Sequence, residues 1–300
     1  MKLIYHLNER LKEKNLTKQY LQKKLNISSR TMAKFNKNES VSLNTIALIC
    51  NELGCKIEDI VEIEKEVSTF LSNLLEEKKI KLPNGLYHEL QILFAYNSNR
   101  IEGSKLNEED TRYIYETNTI EGVKNTNDII EIVNHFKAFD YLLDSIFEPL
   151  SETIIKQFHF ILKNSTSDSR LEWFNVGDYK KRKNTVGGID TTAPKKVSTE
   201  IRKLIDEYST IDNKILEDIV DFHYQFEKIH PFQDGNGRVG RLIMFRECLK
   251  NNIKPFIIED EIKFFYYRGL KEYPSQKGYL IDTCKSSQDR MDYLLNKFSY

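Results

Sequence analysis

Apolar residues recur at steps of three and four along the first 65 residues, with polar residues between them. This spacing places the apolar side chains of each segment on one face of a helix. Thr17, Ser28 and Ser42 stand where helix N-caps are expected, and Gly54 stands where a helix end favours a positive φ. The pattern therefore predicts a bundle of short helices. Its apolar positions are Leu3, Ile4, Leu7, Leu11, Leu16, Tyr20, Leu21, Leu43, Ile46, Ala47, Cys50 and Leu53.

Only residues 25–27 separate the second and third predicted helices, which is the turn length of a helix-turn-helix motif. Residues 1–65 resemble the Cro/repressor type of helix-turn-helix domain. The resemblance implies that the segment SSRTMAKFNKN holds the recognition helix, with Met32 and Phe35 facing inward. The side chains left for base edges and phosphates are Ser29, Arg30, Thr31, Lys34 and Lys37.

The charge of this bundle favours DNA as its partner. Eight lysines and two arginines against three glutamates give residues 1–40 a net charge of +7, although the whole chain is neutral. One copy would bind DNA weakly, so a homodimer is expected. The alternative is that the bundle contacts a protein partner and that its lysines are merely solvated.

Residues 66–85 are charged and helical in pattern until Pro83, Asn84 and Gly85 interrupt the pattern. The chain beyond residue 40 must carry the compensating charge of −7, which indicates a different kind of domain. We predict a helical linker over residues 66–85 and a second domain over residues 86–300.

A polar segment, HPFQDGNGRVGR at residues 230–241, lies between two stretches of helical apolar spacing. The first stretch predicts a helix through Ile229, and the second predicts a helix that starts near Arg238. Gly235 and Gly237 let the backbone approach a ligand closely, and the amides and dipole of a helix N-terminus favour an anion. The segment therefore predicts a phosphate-binding loop.

The side chains of this loop suit chemistry on a bound nucleotide. Asp234 offers a carboxylate to Mg²⁺, and Asn236 can donate to a phosphate oxygen. Arg238 and Arg241, three residues apart, can grip phosphates, while His230 can take a proton from an incoming hydroxyl. Together these groups predict in-line transfer from a nucleotide to an alcohol. The plainer alternative is a helix N-cap with incidental polar residues.

Residues 86–285 resemble Fic domains, and the loop matches the Fic motif HxFx(D/E)GNGRxxR at all its specified positions. These positions are His230, Phe232, Asp234, Gly235, Asn236, Gly237, Arg238 and Arg241. The resemblance implies a protein adenylyltransferase that uses Mg²⁺ and moves AMP from ATP onto a Ser, Thr or Tyr hydroxyl of a target protein, or of itself. It implies that His230 is the base, that Asp234 binds Mg²⁺, and that Asn236 and the loop amides hold the α-phosphate. The two arginines would hold the β- and γ-phosphates.

Two further stretches resemble parts of Fic domains. The segment GDYKKRKNTVGGIDTTAPKKV resembles the flap, a β-hairpin that would hold a target segment by strand addition, although its glycine pair also suits a plain tight turn. Its candidate target contacts are Val186, Gly187, Gly188, Thr191 and Thr192. Tyr266 and Tyr267 lie where Fic domains place aromatic contacts to adenine, but an aromatic pair at helical spacing also suits a core.

A candidate inhibitory segment precedes the loop by more than a hundred residues. Ser98 and Glu102 are four apart on one predicted helix face, and Gly103 follows at the helix end. They resemble the inhibitory motif (S/T)xxxE(G/N) of class II Fic proteins, which implies that Glu102 pairs with Arg241 where the γ-phosphate belongs. The alternative for Glu102 is a solvated position at a helix end.

Residues 117–122 fit the same inhibitory pattern, with Thr117, Glu121 and Gly122 at its specified positions. We favour the first copy, because its surroundings resemble Fic proteins more closely. In some Fic proteins the inhibitory glutamate also supports removal of AMP, and the sequence leaves that activity open.

Composition adds the cellular setting. The chain has 40% hydrophobic and 30% charged residues, without an apolar run of transmembrane length or a signal peptide at its start, so we expect a cytoplasmic protein that makes no membrane contact. Four cysteines without paired spacing predict neither a zinc site nor a disulfide framework.

The sequence thus predicts an all-α fold in which a helix-turn-helix bundle precedes a helical Fic domain, with the flap as the main β element. Two rival functions remain. One is a DNA-binding transcriptional regulator whose second domain senses nucleotide, although a sensor has no need of His230. The other is a different phosphoryl or nucleotidyl transfer.

Overall fold

A computed structural model of the chain describes residues 2–64 and 67–298. The chain forms two compact units, Met1–Ser68 and Thr69–Tyr300. Helices dominate both units, which confirms the predicted all-α class. The helix α5, Thr69–Ile80, falls within the predicted linker but belongs to the second unit, where it packs against α6, Leu86–Ile101.

The first unit contains four helices and one two-stranded antiparallel sheet within its described residues. In chain order these elements are β1 Lys2–Tyr5, α1 Leu7–Glu13, α2 Lys18–Leu25, α3 Ser29–Asn36, α4 Leu43–Leu53 and β2 Val61–Glu64. The expected helical placement of Leu3 and Ile4 is wrong, since both lie in β1, where Leu3 pairs with Ile63. A spacing of four from Leu3 to Leu7 mimics a helix, but apolar and β-branched residues at the two ends of the unit pair as strands instead.

Predicted caps define the helices of the first unit. The hydroxyls of Thr17, Ser28 and Ser42 each accept a hydrogen bond from the backbone amide three residues later. Gly54 ends α4 with a φ of +60°. The side chains of Met32 and Phe35 are buried in the core of the unit, as predicted. The outer face of α3 is therefore the side that lacks these apolar residues.

The second unit is built around one buried helix, α12, which contacts α6, α8, α9 and α11. Its N-terminus is therefore surrounded by side chains from four other helices. Besides α5 and α6, the elements of this unit are α7 Glu108–Thr117, α8 Thr126–Asp144, α9 Glu152–Lys163, β3 Thr185–Val186, β4 Ile189–Asp190, α10 Pro194–Ser209, α11 Leu216–Ile229, α12 Asn236–Lys250, α13 Lys263–Glu272 and α14 Gly278–Lys297.

The strands β3 and β4 form the predicted flap hairpin, with Val186 opposite Ile189. At two residues each they are shorter than β1 and β2, so the flap is not the main β element of the chain. Within the described residues, no helix has the length and apolar character needed to cross a bilayer. All four cysteines are unbonded.

Candidate active site

The polar loop links α11 to α12 through two residues in the left-handed region. His230 ends α11 with a φ of +52°, and its amide donates to the Phe226 carbonyl at 2.9 Å. Gly235 precedes α12 with a φ of +82°, a conformation that favours glycine. The helix begins at Asn236, two residues before the predicted start. The first turn of α12 thus carries the backbone amides that a bound anion would meet.

Asn236 holds this loop closed. Its Oδ1 accepts from the Phe232 amide at 2.8 Å, and its Nδ2 donates to the Phe232 carbonyl at 3.0 Å. The ring of Phe232 is fully buried and stacks on His159 with a centroid distance of 4.0 Å. The side-chain amide expected to meet a phosphate oxygen is therefore engaged with the loop itself, and its structural effect is to fix the backbone of the cradle.

Asp234 projects from the loop into a group of charged side chains. Its Oδ2 lies 2.7 Å from Lys163 Nζ and 3.0 Å from Arg238 Nη2. Burial alone would raise the pKa of Asp234, but the charges of Arg238 and Lys163 outweigh burial and hold it well below its usual value. Asp234 is therefore an ionised carboxylate at neutral pH.

Two further carboxylates meet Asp234 at this point. Glu131, Asp168 and Asp234 each bring one oxygen within 4.8 Å of the others, and Lys163 contacts all three at 2.7–2.8 Å. Oxygen donors of this kind suit Mg²⁺, and the Asp234 side chain is 48% exposed. Lys163 Nζ lies among these oxygens and already neutralises part of their charge, so Asp234, the most exposed of the three carboxylates, is the residue that fits the metal ion that the motif implies.

Arg238 is buried and engaged with acidic neighbours. Its Nη1 lies 2.7 Å from Glu131 Oε2, and its guanidinium also contacts Asp234 and Asn99. Its Nε has no hydrogen-bond partner among the described residues. The guanidinium supplies positive charge beneath the loop, while its Nη1 and Nη2 groups are already hydrogen-bonded to side chains of the protein.

Arg241 meets the stretch expected to inhibit the site. Its Nη2 donates to Glu102 Oε1 at 2.7 Å and to the Ser98 carbonyl at 2.9 Å, while its Nε donates to Ser98 Oγ at 3.0 Å. Glu102 caps α6, and Gly103 follows with a φ of +100°. A Cβ atom added at Gly237 would collide with the Glu102 carboxylate, which therefore lies against the first turn of α12. This is the space in which an anion would bind.

The second copy of the inhibitory pattern has no such contact. Thr117 ends α7, and its hydroxyl donates to the Tyr113 carbonyl at 2.7 Å. Glu121 is exposed and forms no ion pair with any described residue. Only the first copy is therefore joined to Arg241.

His230 lies at the edge of the loop with its side chain 17% exposed. Burial, followed by the charge of Lys180, lowers its pKa to about 4. Its Nδ1 lies 3.9 Å from Glu227 Oε2 and has no hydrogen-bond partner among the described residues. The imidazole is consequently neutral at physiological pH, which is the form that a general base needs.

The two tyrosines expected at adenine differ in position. Tyr266 is 1% exposed, its hydroxyl lies 2.8 Å from His223 Nε2, and its ring lies 5.9 Å from the Arg241 guanidinium. It packs behind Arg241 in the core, which is the alternative position that the sequence left open for this tyrosine pair. Tyr267 is 44% exposed and donates to the Ile101 carbonyl at 3.1 Å, so its ring is the accessible member of the pair.

The flap residues divide between surface and support. Gly187 and Gly188 form the turn, both with positive φ, and Val186 is 48% exposed. Thr191 is half-buried, with its hydroxyl 2.6 Å from Lys180 Nζ, and Thr192 is also half-buried. The exposed edge of the hairpin is thus formed by Val186 and the two glycines rather than by the threonines.

Comparison with protein families agrees with this geometry. Residues 149–248 match the Fic/DOC family, a range that contains the flap, the loop and all but the last two residues of the buried helix α12. The chain contains a Fic domain. Residues 6–66 match the Cro/C1-type helix-turn-helix DNA-binding domain, which confirms the second predicted resemblance.

Curated relatives share the Fic domain at low identity. Protein adenylyltransferase fic-1 of Caenorhabditis elegans is 24% identical over 193 residues, which cover 62% of this chain and 37% of the relative. Protein adenylyltransferase Fic of Drosophila willistoni is 28% identical over 182 residues, which cover 59% of this chain and 35% of that protein. The chain thus spans little more than a third of the length of these relatives.

Solved structures show the same fold. A Fic domain-containing signaling protein from Bacteroides thetaiotaomicron superposes with a TM-score of 0.57 at 22% identity, covering 76% of this chain and 91% of that chain. Fic-1 from C. elegans superposes with a TM-score of 0.58 at 21% identity, covering 75% of this chain and 70% of that chain.

The Fic domain contains functional candidates that the sequence did not single out. Glu227 lies one helical turn before His230, and burial, followed by the Glu102 carboxylate, raises its pKa to about 8. Its Oε1 has no hydrogen-bond partner among the described residues. The i, i+3 spacing to His230 was a usable signal for Glu227. Lys163 and Glu131 carry no such signal, because only tertiary packing brings them to Asp234.

In the helix-turn-helix unit, the five side chains expected to face DNA differ in exposure. Ser29, Arg30 and Lys37 are exposed, whereas Thr31 and Lys34 are half-buried. The ammonium of Lys34 donates to a backbone carbonyl in the loop after α3 at 3.2 Å. Arg30 and Lys37 are therefore the charged side chains of this set with the greatest access to a ligand.

Proposed function

We propose that the Fic domain transfers AMP from ATP to a hydroxyl of a protein, which is either a separate target or the chain itself. The observation that carries this proposal is the position of two side chains at the N-terminus of α12. The neutral imidazole of His230 and the ionised carboxylate of Asp234 both lie in the loop that leads into this glycine-bearing helix start. The curated relatives named protein adenylyltransferase support it by their similarity.

In the proposed reaction, His230 takes the proton of the target hydroxyl as its oxygen forms a bond to the α-phosphorus. The bond from that phosphorus to pyrophosphate breaks, and pyrophosphate leaves with the electron pair. The amides of the first turn of α12 favour the growing negative charge, and Asn236 keeps their backbone in place. A bound Mg²⁺ would neutralise charge on the phosphates, and Asp234 is the residue that would hold it.

The proposed reaction is inhibited in the conformation described here. The Glu102 carboxylate occupies the space beside Gly237 and uses the Nη2 of Arg241. A γ-phosphate would meet a negative charge there instead of a free guanidinium, and the α-phosphate would be shifted from His230. Whatever lifts Glu102 from Arg241 would thus permit the aligned pose.

The direct test uses the Glu102→Gly protein with Mg²⁺ and ATP labelled at either the α- or the γ-phosphate. Transfer of AMP places the α-label on protein, together with a mass gain of one adenylyl group. Transfer of the γ-label alone would replace the proposal with phosphorylation, and absence of the α-label from both this chain and the proteins of an added cell lysate would remove the proposed activity.

Asp234→Asn in the Glu102→Gly protein is expected to lower transfer about 100-fold, because a neutral amide binds Mg²⁺ weakly. The rate is measured against Mg²⁺ concentration. Lys163→Met is the matched control, since it removes the Lys163 contact of Asp234 and leaves every carboxylate of the cluster in place. Equal losses in the two variants would show that the Lys163 contacts, and not a metal ligand, explain the effect.

We propose that the helix-turn-helix unit binds DNA through the outer face of α3, most effectively as a homodimer. The match to a DNA-binding domain, the exposed Arg30 and Lys37, and the charge of +7 on residues 1–40 support this. Each unit presents only a short helix, so two copies on adjacent half-sites would supply the affinity that one lacks.

Arg30→Ala is expected to weaken binding to a pool of random-sequence duplexes and to reduce the salt dependence by about one ion. Lys14→Ala is the control, because it removes one exposed positive charge from outside α3. Fluorescence anisotropy over a range of salt concentrations measures both. Identical losses would indicate non-specific attraction alone, and no binding by the unaltered chain would favour a protein partner.

A further inference from the structure

Lys180 is a buried cation whose contacts are neutral oxygens. It is 3% exposed, and its Nζ lies 2.7 Å from Asn184 Oδ1, 2.6 Å from Thr191 Oγ1 and 3.5 Å from the Ile229 carbonyl. It forms no ion pair with a described carboxylate. Burial lowers its pKa to about 8, so it remains largely charged at neutral pH. Burying an ammonium without a counterion lowers the stability of the fold, so Lys180 is a candidate for a functional role.

The partners of Lys180 include both ends of the flap. Asn184 immediately precedes β3 and Thr191 immediately follows β4. The Thr191 hydroxyl donates to the Asn184 carbonyl at 3.0 Å, and the Thr191 amide reaches the same carbonyl at 3.3 Å. The ammonium therefore joins the two strands of the hairpin at its base.

The same residues also join the hairpin to the backbone around His230. The Lys180 amide donates to the Pro231 carbonyl at 2.9 Å, and Asn184 Nδ2 donates to the Phe232 carbonyl at 3.1 Å. With the Ile229 carbonyl, three backbone groups that flank His230 are tied to the flap. These contacts leave the imidazole free to face a ligand.

We propose that Lys180 is a positioning residue that locks the base of the flap to the backbone on both sides of His230. A target hydroxyl held along the flap then meets the imidazole in one fixed geometry. This inference rests on the proposed transfer to protein and adds the device that aligns its acceptor. Lys180 acts through Asn184 and Thr191 and does not itself touch the reacting atoms.

The charge of Lys180 has a second effect on the same base. His230 faces Lys180, the backbone of Glu227, and the carboxyl groups of Asp234 and Glu102. After burial, the ammonium is the strongest influence lowering the pKa of His230, against the opposite effect of the acidic groups. Lys180 therefore both locks the flap and adds to the effect of burial in keeping the base neutral.

The test compares Lys180→Met, Lys180→Arg and Thr191→Val in the full Glu102→Gly chain, with Lys181→Met as a control at an exposed lysine. The first measurement is amide exchange across residues 180–191 without nucleotide. Lys180→Met is expected to raise exchange there and not in α12, Thr191→Val is expected to raise it partly, and Lys180→Arg is expected to restore protection in part. Lys181→Met is expected to leave exchange unchanged.

The second measurement is AMP transfer to a His230→Ala copy of this chain as the acceptor. Lys180→Met is expected to lower kcat/KM for the acceptor about 100-fold while KM for ATP stays unchanged, because only the acceptor is misplaced. Unchanged exchange at residues 180–191, or exchange raised equally throughout the unit, would overturn the locking role. If the Glu102→Gly parent transfers no AMP to this acceptor or to the proteins of a cell lysate, the proposed function fails, and the exchange measurement still decides whether Lys180 holds the flap.

Discussion

Glu102→Gly is expected to raise AMP transfer about 10- to 100-fold. The substitution removes the carboxylate that lies 2.7 Å from Arg241 Nη2 and against the backbone of Gly237. Arg241 keeps its two contacts with Ser98, so the guanidinium stays in place with Nη2 open to a phosphate. Glycine is also tolerated at the end of α6, because Glu102 is the C-cap residue of this helix and its backbone angles lie outside the helical region.

The measurement is incorporation of α-labelled AMP per enzyme at fixed Mg²⁺ and ATP. Glu121→Gly is the matched control, because Glu121 occupies the same position of the second inhibitory pattern but is exposed. It is expected to behave as the unaltered chain does. Equal labelling by the unaltered chain and the Glu102 variant would show that Glu102 does not inhibit transfer. Activation by Glu121→Gly would instead assign the inhibition to the second pattern.

His230→Ala in the Glu102→Gly protein is expected to reduce transfer about 1,000-fold, the loss typical of removing a general base. No other described histidine lies in the loop, and the buried rings of His135, His159 and His223 pack within the unit. Binding of ATP is expected to persist, since the loop amides and Arg241 are unaffected. Nucleotide affinity measured by calorimetry provides this control.

The pH dependence gives an independent check on the same residue. A base must be unprotonated to accept a proton, and burial with the charge of Lys180 lowers the pKa of His230 to about 4. The contribution of His230 is therefore complete at neutral pH and falls as the pH drops through about 4. A rate that already halves near pH 6.5, the usual histidine value, would contradict the depressed pKa. His230→Ala activity close to that of its parent would exclude His230 as the base.

Local rules explain most of what could be predicted about the fold. The hydroxyl caps at Thr17, Ser28 and Ser42 and the positive φ of Gly54 depend on residues within four positions of each other. Helical spacing likewise gave α11 and α12. It failed at Leu3 and Ile4, because the pairing of β1 with β2 joins residues some sixty positions apart.

The candidate site was less predictable where long-range packing decides a side chain's partner. Asn236 has a suitable amide for a phosphate, yet its neighbour in space is the Phe232 backbone. Tyr266 has an aromatic face for adenine, yet it is buried against His223. Residue type limits what a side chain can do, and the surrounding helices select among those options.

By itself, the sequence determined the order of chemical groups along the loop and permitted the left-handed backbone at Gly235, because both depend on neighbouring residues and local sterics. Tertiary structure alone decided that Lys163 contacts Asp234, that Lys180 reaches both ends of the flap, and that Glu102 lies on Arg241, 139 residues away. The physical reason is that ion pairs and buried hydrogen bonds act over a few ångströms, so they form only after helix packing has brought distant segments together.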